Sequence, residues 1–134
     1  MEKTILVTGG AGGVGREVTA LLVSRGHRVR VFDLPGCDFR PFEGMAQVQI
    51  VKGDIRDRDM LGRAVSDVDV VIHLAALLPP VSEREREATM AVNVGGTANV
   101  VEALERKSPG ASLVFSSSVC VYGDTSAAVP TIGV

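Results

Sequence analysis

Thr8-Gly9-Gly10-Ala11-Gly12-Gly13-Val14-Gly15 follows a short apolar run, Thr4 to Val7, and leads into a helix-compatible segment. A strand, a glycine turn and a helix in that order is where a dinucleotide's pyrophosphate is gripped. Gly9 is expected to allow the tight turn off the strand, and Gly12 to let the backbone approach the phosphates. Gly15 should let the helix pack close on the sheet. Gly13 and Val14 open that helix, whose free N–H groups and partial positive charge favour the same anion.

The next extended run, His27 to Phe32, ends at Asp33, 24 positions after Gly9. An acidic side chain near that offset binds the adenosine ribose hydroxyls and repels a 2′-phosphate, so NAD is expected rather than NADP. Leu34 is placed beside the cofactor with it. Gly10 and Gly15 also have the separation of a mononucleotide P-loop, but Arg16-Glu17 stands where Lys-Ser/Thr would contact phosphate and magnesium. Asp33 taken alone would be a solvated strand end; the glycine turn upstream decides against that.

The 134 residues are one domain's worth, and apolar residues make up 46% with valine and alanine dominant, which suits a parallel sheet buried on both faces. A net charge of −2 without a basic run argues against electrostatic binding to nucleic acid. Cys37 and Cys120 lack metal-like or Cys-x-x-Cys spacing and are expected as free thiols, Cys120 packing as a small hydrophobe. With no signal-like segment and no apolar run long enough for a membrane span, a cytoplasmic protein is expected.

Strand-like runs occur at Thr4–Val7, His27–Phe32, Gln47–Val51, Val68–Leu74 and Ser112–Ser116, mostly separated by helical stretches. Val14, Val18, Leu21 and Leu22 are expected on one face of the first helix, which Gly26 ends, and Asp57 should cap a short helix through Val65. Glu83 to Lys107 is expected as one long helix with a solvated charged entrance and an apolar row through Met90, Val94, Ala98, Val101 and Leu104. Alternating elements of this kind predict an α/β Rossmann-type doubly wound parallel sheet of about five strands, with its ligand at the strand carboxyl ends.

Four further motifs follow in order: Gly53-Asp54-Ile55-Arg56-Asp57, His73-Leu74-Ala75-Ala76, Asn93-Val94-Gly95-Gly96-Thr97 and Ser116-Ser117-Ser118-Val119-Cys120-Val121-Tyr122-Gly123. With the glycine turn and Asp33, the set resembles the extended short-chain dehydrogenase/reductase family, the NAD-dependent epimerases and dehydratases. The resemblance runs from Thr4 to about Gly123. It implies that Asp54 bonds the adenine amino group, that Ile55 packs on the ring, and that Leu74, Ala75 and Ala76 wall the ribose and nicotinamide. It also implies that Asn93 orders the cofactor and a catalytic lysine, that Ser116 lies at the nicotinamide, and that Ser118 bonds the reacting substrate oxygen. His73, with only His27 as a possible partner, is assigned no metal. A Ser-His-Asp hydrolase is disfavoured because Ser118 has no Gly-x-Ser-x-Gly elbow and no histidine after it, and Cys120 has no motif partner.

The family's Tyr-x-x-x-Lys is not in the chain: Tyr122 is the only tyrosine, Ser126 stands four positions on, and no lysine follows Lys107. The expectation is therefore an N-terminal NAD-binding portion, residues 1–134, without its substrate-binding portion. By the resemblance the intact enzyme would be a homodimeric epimerase, dehydratase or dehydrogenase moving a hydride on a nucleotide sugar or similar small-molecule alcohol. The alternatives are a non-catalytic NAD-binding sensor or subunit, and a scaffold without cofactor.

Overall fold

Five short runs, each carrying valine or isoleucine, become β1 (Thr4–Thr8), β2 (Arg28–Asp33), β3 (Val48–Lys52), β4 (Val70–His73) and β5 (Ser112–Phe115). The computed structural model describes residues 1–122. All neighbouring strands are parallel, in the order β3-β2-β1-β4-β5. The chain steps outward from β1 to β3, then returns to the other side of β1 as β4. The carboxyl ends of β1 and β4 therefore meet at a topological switch point, as the doubly wound expectation requires. Each strand lies within two residues of the run expected from sequence.

The helices are α1 (Gly13–Ser24), α2 (Arg58–Val65), α3 (Val81–Arg84), α4 (Arg86–Thr89) and α5 (Thr97–Lys107). Successive strand residues point to opposite faces. Leu6, Phe32 and Val71 meet Leu61, Val65, Val100 and Leu104 of α2 and α5 on one face. Ile5, Val7, Val29 and Val31 meet Val18, Leu22 and Val23 of α1 on the other, closed below by Phe39 and Phe42. Each such large side chain taken out of water contributes about 1.5–3 kcal/mol. Asp57 caps α2 as expected, accepting the Asp59 and Met60 N–H groups. Gly26, at φ +80°, takes the chain off α1.

Two helical expectations are corrected. Val14 and Leu21 face solvent, and the buried positions of α1 are Thr19 and Gly15, where a side chain would strike the Gly9 and Gly10 backbone. The single helix from Glu83 to Lys107 is instead α3, α4, a π-helical segment Met90–Gly96, and α5. Glu85, at φ −118° and ψ 67°, breaks the first turn. The wider π turns then shift the helical phase. Met90, Val94 and Val101 of the expected apolar row end up exposed, and the buried face is Gly96, Asn99, Val100, Ala103 and Leu104.

Candidate functional site: a cleft at the switch point

A cleft of about 570 Å³ opens over the carboxyl ends of β1, β2 and β4, bounded by the glycine turn, the ends of β2 and β3 and the loop after β4. Gly9 has φ +67°, and a Cβ there would stand 2.8 Å from the Ala75 N, so the turn lies directly against the β4 exit. Gly15 acts differently from the expectation. Its missing Cβ would lie 2.5 Å from Gly9 O and 2.6 Å from the Gly10 Cα, so it lets the helix close on the turn, not on the sheet. Contact with the sheet falls to Gly10, which sequence reasoning left out: its Cβ would meet Val31 and the Val7 carbonyl at 2.8 Å. Gly12 and Gly13 are exposed, a Cβ on Gly13 meets nothing within 4 Å, and both line the cleft with Val14.

Asp33 joins β2 to this turn. Its Oδ2 accepts the Ala11 N–H at 3.0 Å, and its Oδ1 accepts the Leu34 N–H at 2.8 Å and the Cys37 thiol at 3.3 Å. Burial, then the hydrogen bond to Asp33, push the Cys37 thiol up from its ordinary value. Arg16 spans the glycine turn and the loop after β2, its guanidinium donating to the Ala11 and Asp38 carbonyls at 2.8 and 3.1 Å.

Past β3, Asp54 is held by Arg56, whose Nε and terminal nitrogen donate to the carboxylate at 2.9 and 2.6 Å. The Arg56 hydrogen bonds hold the Asp54 carboxyl below its usual range. Ile55 lines the cleft but is only 5% exposed, its two γ-carbons filling the space a Gly96 side chain would occupy. It therefore offers the cleft an edge, the bulk of the side chain belonging to the core. Leu74, Ala75 and Ala76 form the wall on the β4 side.

Asn93 sits in the π segment, and its amide is spent on the protein: Oδ1 accepts the Leu77 N–H at 2.7 Å and Nδ2 donates to the Leu77 carbonyl at 3.0 Å. It clamps the loop after β4 and is not among the residues lining the cleft. Ser116 and Ser118 are exposed and also lie outside that lining. The Ser116 N–H points to the His73 carbonyl at 3.5 Å, and the Ser118 hydroxyl accepts the Cys120 N–H at 3.1 Å. Cys120 is exposed, not packed, because β5 and the turn after it are uncovered among the described residues. Gly123, the end of the serine motif, lies outside the described residues.

Sequence reasoning missed Cys37, Arg56, Leu77, Ala88 and Val92 as cleft residues. Arg56 had a signal, two positions from Asp54 in a charged motif. The others are brought in by the loops after β2 and β4 and by the broken helix, whose paths no spacing rule gives. Among the described residues no group of histidine, cysteine and acidic side chains is placed to hold a metal, and no helix is long and apolar enough to cross a membrane.

A parallel switch-point cleft with a glycine turn and an acidic β2 end defines a dinucleotide-binding α/β fold. The comparisons narrow this: residues 5–133 match the model of the NAD dependent epimerase/dehydratase family, and the chain belongs to that family, whose cofactor is NAD. It is 37% identical over 125 residues to a 3 beta-hydroxysteroid dehydrogenase/Delta 5-->4-isomerase of Mycobacterium tuberculosis, covering 89% of this chain and 33% of that protein. An epimerase structure from Methanothermobacter thermautotrophicus superposes with a TM-score of 0.85 at 32% identity, over 98% of this chain and 40% of that one. UDP-glucose 4-epimerase from Stenotrophomonas maltophila, solved with NAD and formylated UDP-arabinopyranose, gives 0.82 at 31% identity, over 96% and 40%. The chain spans about a third of the length of the curated relatives it matches.

Proposed function

We propose that this chain is the NAD-binding portion of an NAD-dependent epimerase, dehydratase or dehydrogenase that moves a hydride on a nucleotide sugar or similar alcohol. The observation that carries the reading is the cradle itself. Gly12 and Gly13 present bare backbone at the open N-terminus of α1, one turn from a carboxylate that the Ala11 N–H holds in place. In this reading Gly9, Gly12, Gly13, Val14 and Gly15 hold the pyrophosphate, and Asp33 and Leu34 the adenosine ribose. Asp54 and Ile55 take the adenine, and Leu74, Ala75 and Ala76 the wall toward the nicotinamide. When bound, NAD supplies the hydride acceptor; these residues bind and orient it.

Asn93 acts through the loop it clamps, and Ser116 and Ser118 face nicotinamide and substrate in the longer enzyme. The nucleotide-sugar class is supported by the epimerase relatives, and the alcohol class more broadly by the steroid dehydrogenase. Homodimerisation of the longer enzyme is supported by the exposed Met90, Val94 and Val101, and cytoplasmic placement by the free thiols of Cys37 and Cys120. The test is calorimetric titration with NAD and NADP. Saturable binding of NAD, with NADP weaker, is the expected result; no binding of either returns the chain to a scaffold without cofactor.

A further inference from the structure

Under the cleft runs a chain of buried and half-buried polar groups that neither the glycine turn nor the acidic residues use. The Thr8 hydroxyl lies 2.6 Å from the His73 Nδ1, and the Thr97 hydroxyl lies 2.9 Å from the His73 Nε2. Thr8 is fully buried and His73 is 2% exposed, so solvent supplies neither with a partner.

The direction of every bond in this chain follows from one contact. Thr97 Oγ1 is 2.6 Å from the Asn93 carbonyl, which can only accept, so the single hydroxyl proton of Thr97 is committed there. Toward His73 that oxygen can only accept, and Nε2 must carry the ring proton. Nδ1 of the neutral ring is then bare and accepts from the Thr8 hydroxyl, whose own lone pairs face the Ala75 N–H at 3.4 Å. The line reads from the Ala75 N–H through Thr8, His73 and Thr97 to the Asn93 carbonyl. The Asn93 side chain closes a ring by binding both backbone groups of Leu77.

We propose that His73, as the neutral Nε2–H tautomer, is a positioning residue that sets the wall of the cleft. It does so by fixing Ala75 through Thr8 and Leu77 through Thr97 and Asn93. The assignment rests on the reading of the cleft as an NAD site. It ties the carboxyl ends of β1 and β4 and the junction of the π segment with α5 to one imidazole orientation. The same imidazole touches the Phe115 ring, with centroids 5.9 Å apart, and its backbone carbonyl receives the Ser116 N–H, so the exit of β5 is set from the same residue.

The test combines Thr97→Val, which keeps the shape and removes the hydroxyl, with Thr97→Ser, which restores it. NAD affinity should fall about three- to tenfold in T97V, the range for one lost hydrogen bond, and return in T97S, with folding checked by near-UV circular dichroism. Long-range nitrogen–proton NMR correlations of the wild-type imidazole should show the Nε2–H tautomer at neutral pH. An Nδ1–H tautomer or an imidazolium there overturns the proposal without any variant. Wild-type NAD binding left unchanged in T97V overturns the positioning role alone, whereas a wild-type protein that binds no NAD overturns the cofactor reading and this one with it.

Discussion

Gly12 and Gly15 lie three residues apart in one turn and are glycine for different reasons. A Cβ on Gly12 would touch only the Gly9 carbonyl, at 3.3 Å, whereas on Gly15 it would be driven to 2.5 Å of backbone. Gly12→Val should therefore leave the melting temperature within a few degrees yet weaken NAD binding by more than about tenfold, near 1.4 kcal/mol. Gly15→Ala should cost about 1–3 kcal/mol of stability by overpacking. Thermal melts and calorimetry on both variants check the contrast, and normal NAD affinity in G12V would remove Gly12 from the pyrophosphate site. Asp33→Ala would remove the ribose contacts proposed for this carboxylate and also frees the Ala11 N–H, so a loss of about 1–3 kcal/mol in NAD binding is expected by titration. His73 gives a pH signature: burial lowers its pKa below the ordinary 6.5, so between those values the unfolded chain binds more protons. Its contribution to stability is complete above pH 6.5 and falls as pH drops toward the folded pKa. Denaturant midpoints measured from pH 7.5 to 5.5 should decline, and Thr8→Val, which leaves Nδ1 unpartnered, should alter that slope.

At the scale of elements, capping and phase had different fates. Asp57 was readable as a cap because an acceptor side chain before an amphipathic turn needs only local geometry, and Asp57→Ala should cost about 1 kcal/mol, seen as a melting point lower by a few degrees. An unchanged melt would mean that packing against α5 alone holds α2. The apolar row from Met90 to Val101 was not readable in the same way. Counting 3.6 residues per turn assumes an unbroken α-helix, and the π segment Met90–Gly96 breaks that count just before α5. Val92, Val94, Gly95 and Gly96 are poor α-formers, but nothing in their spacing says that Gly96 must make room for Ile55.

For the whole molecule, β5 is the exposed feature. All four of its residues are exposed, including Val114 and Phe115, and among the described residues nothing pairs with its outer edge. Such an edge templates association. The chain on its own is expected to self-associate as concentration rises, and Val114→Lys should lower the light scattering without moving the melting point; equal scattering in both proteins would acquit the edge. The doubly wound sheet, the glycine turn with Asp33, and the family itself were legible in sequence, because strand period, turn glycines and motif order are set by neighbours along the chain. Tertiary structure alone decided the partners. It assigned the Gly15 contact to the turn and the Gly10 contact to the sheet, placed Arg56 on Asp54, spent Asn93 on Leu77, and put His73 between two threonines. The two histidine pairings join residues 65 and 24 positions apart, and only the packing of β1, β4 and the start of α5 brings them within a hydrogen bond.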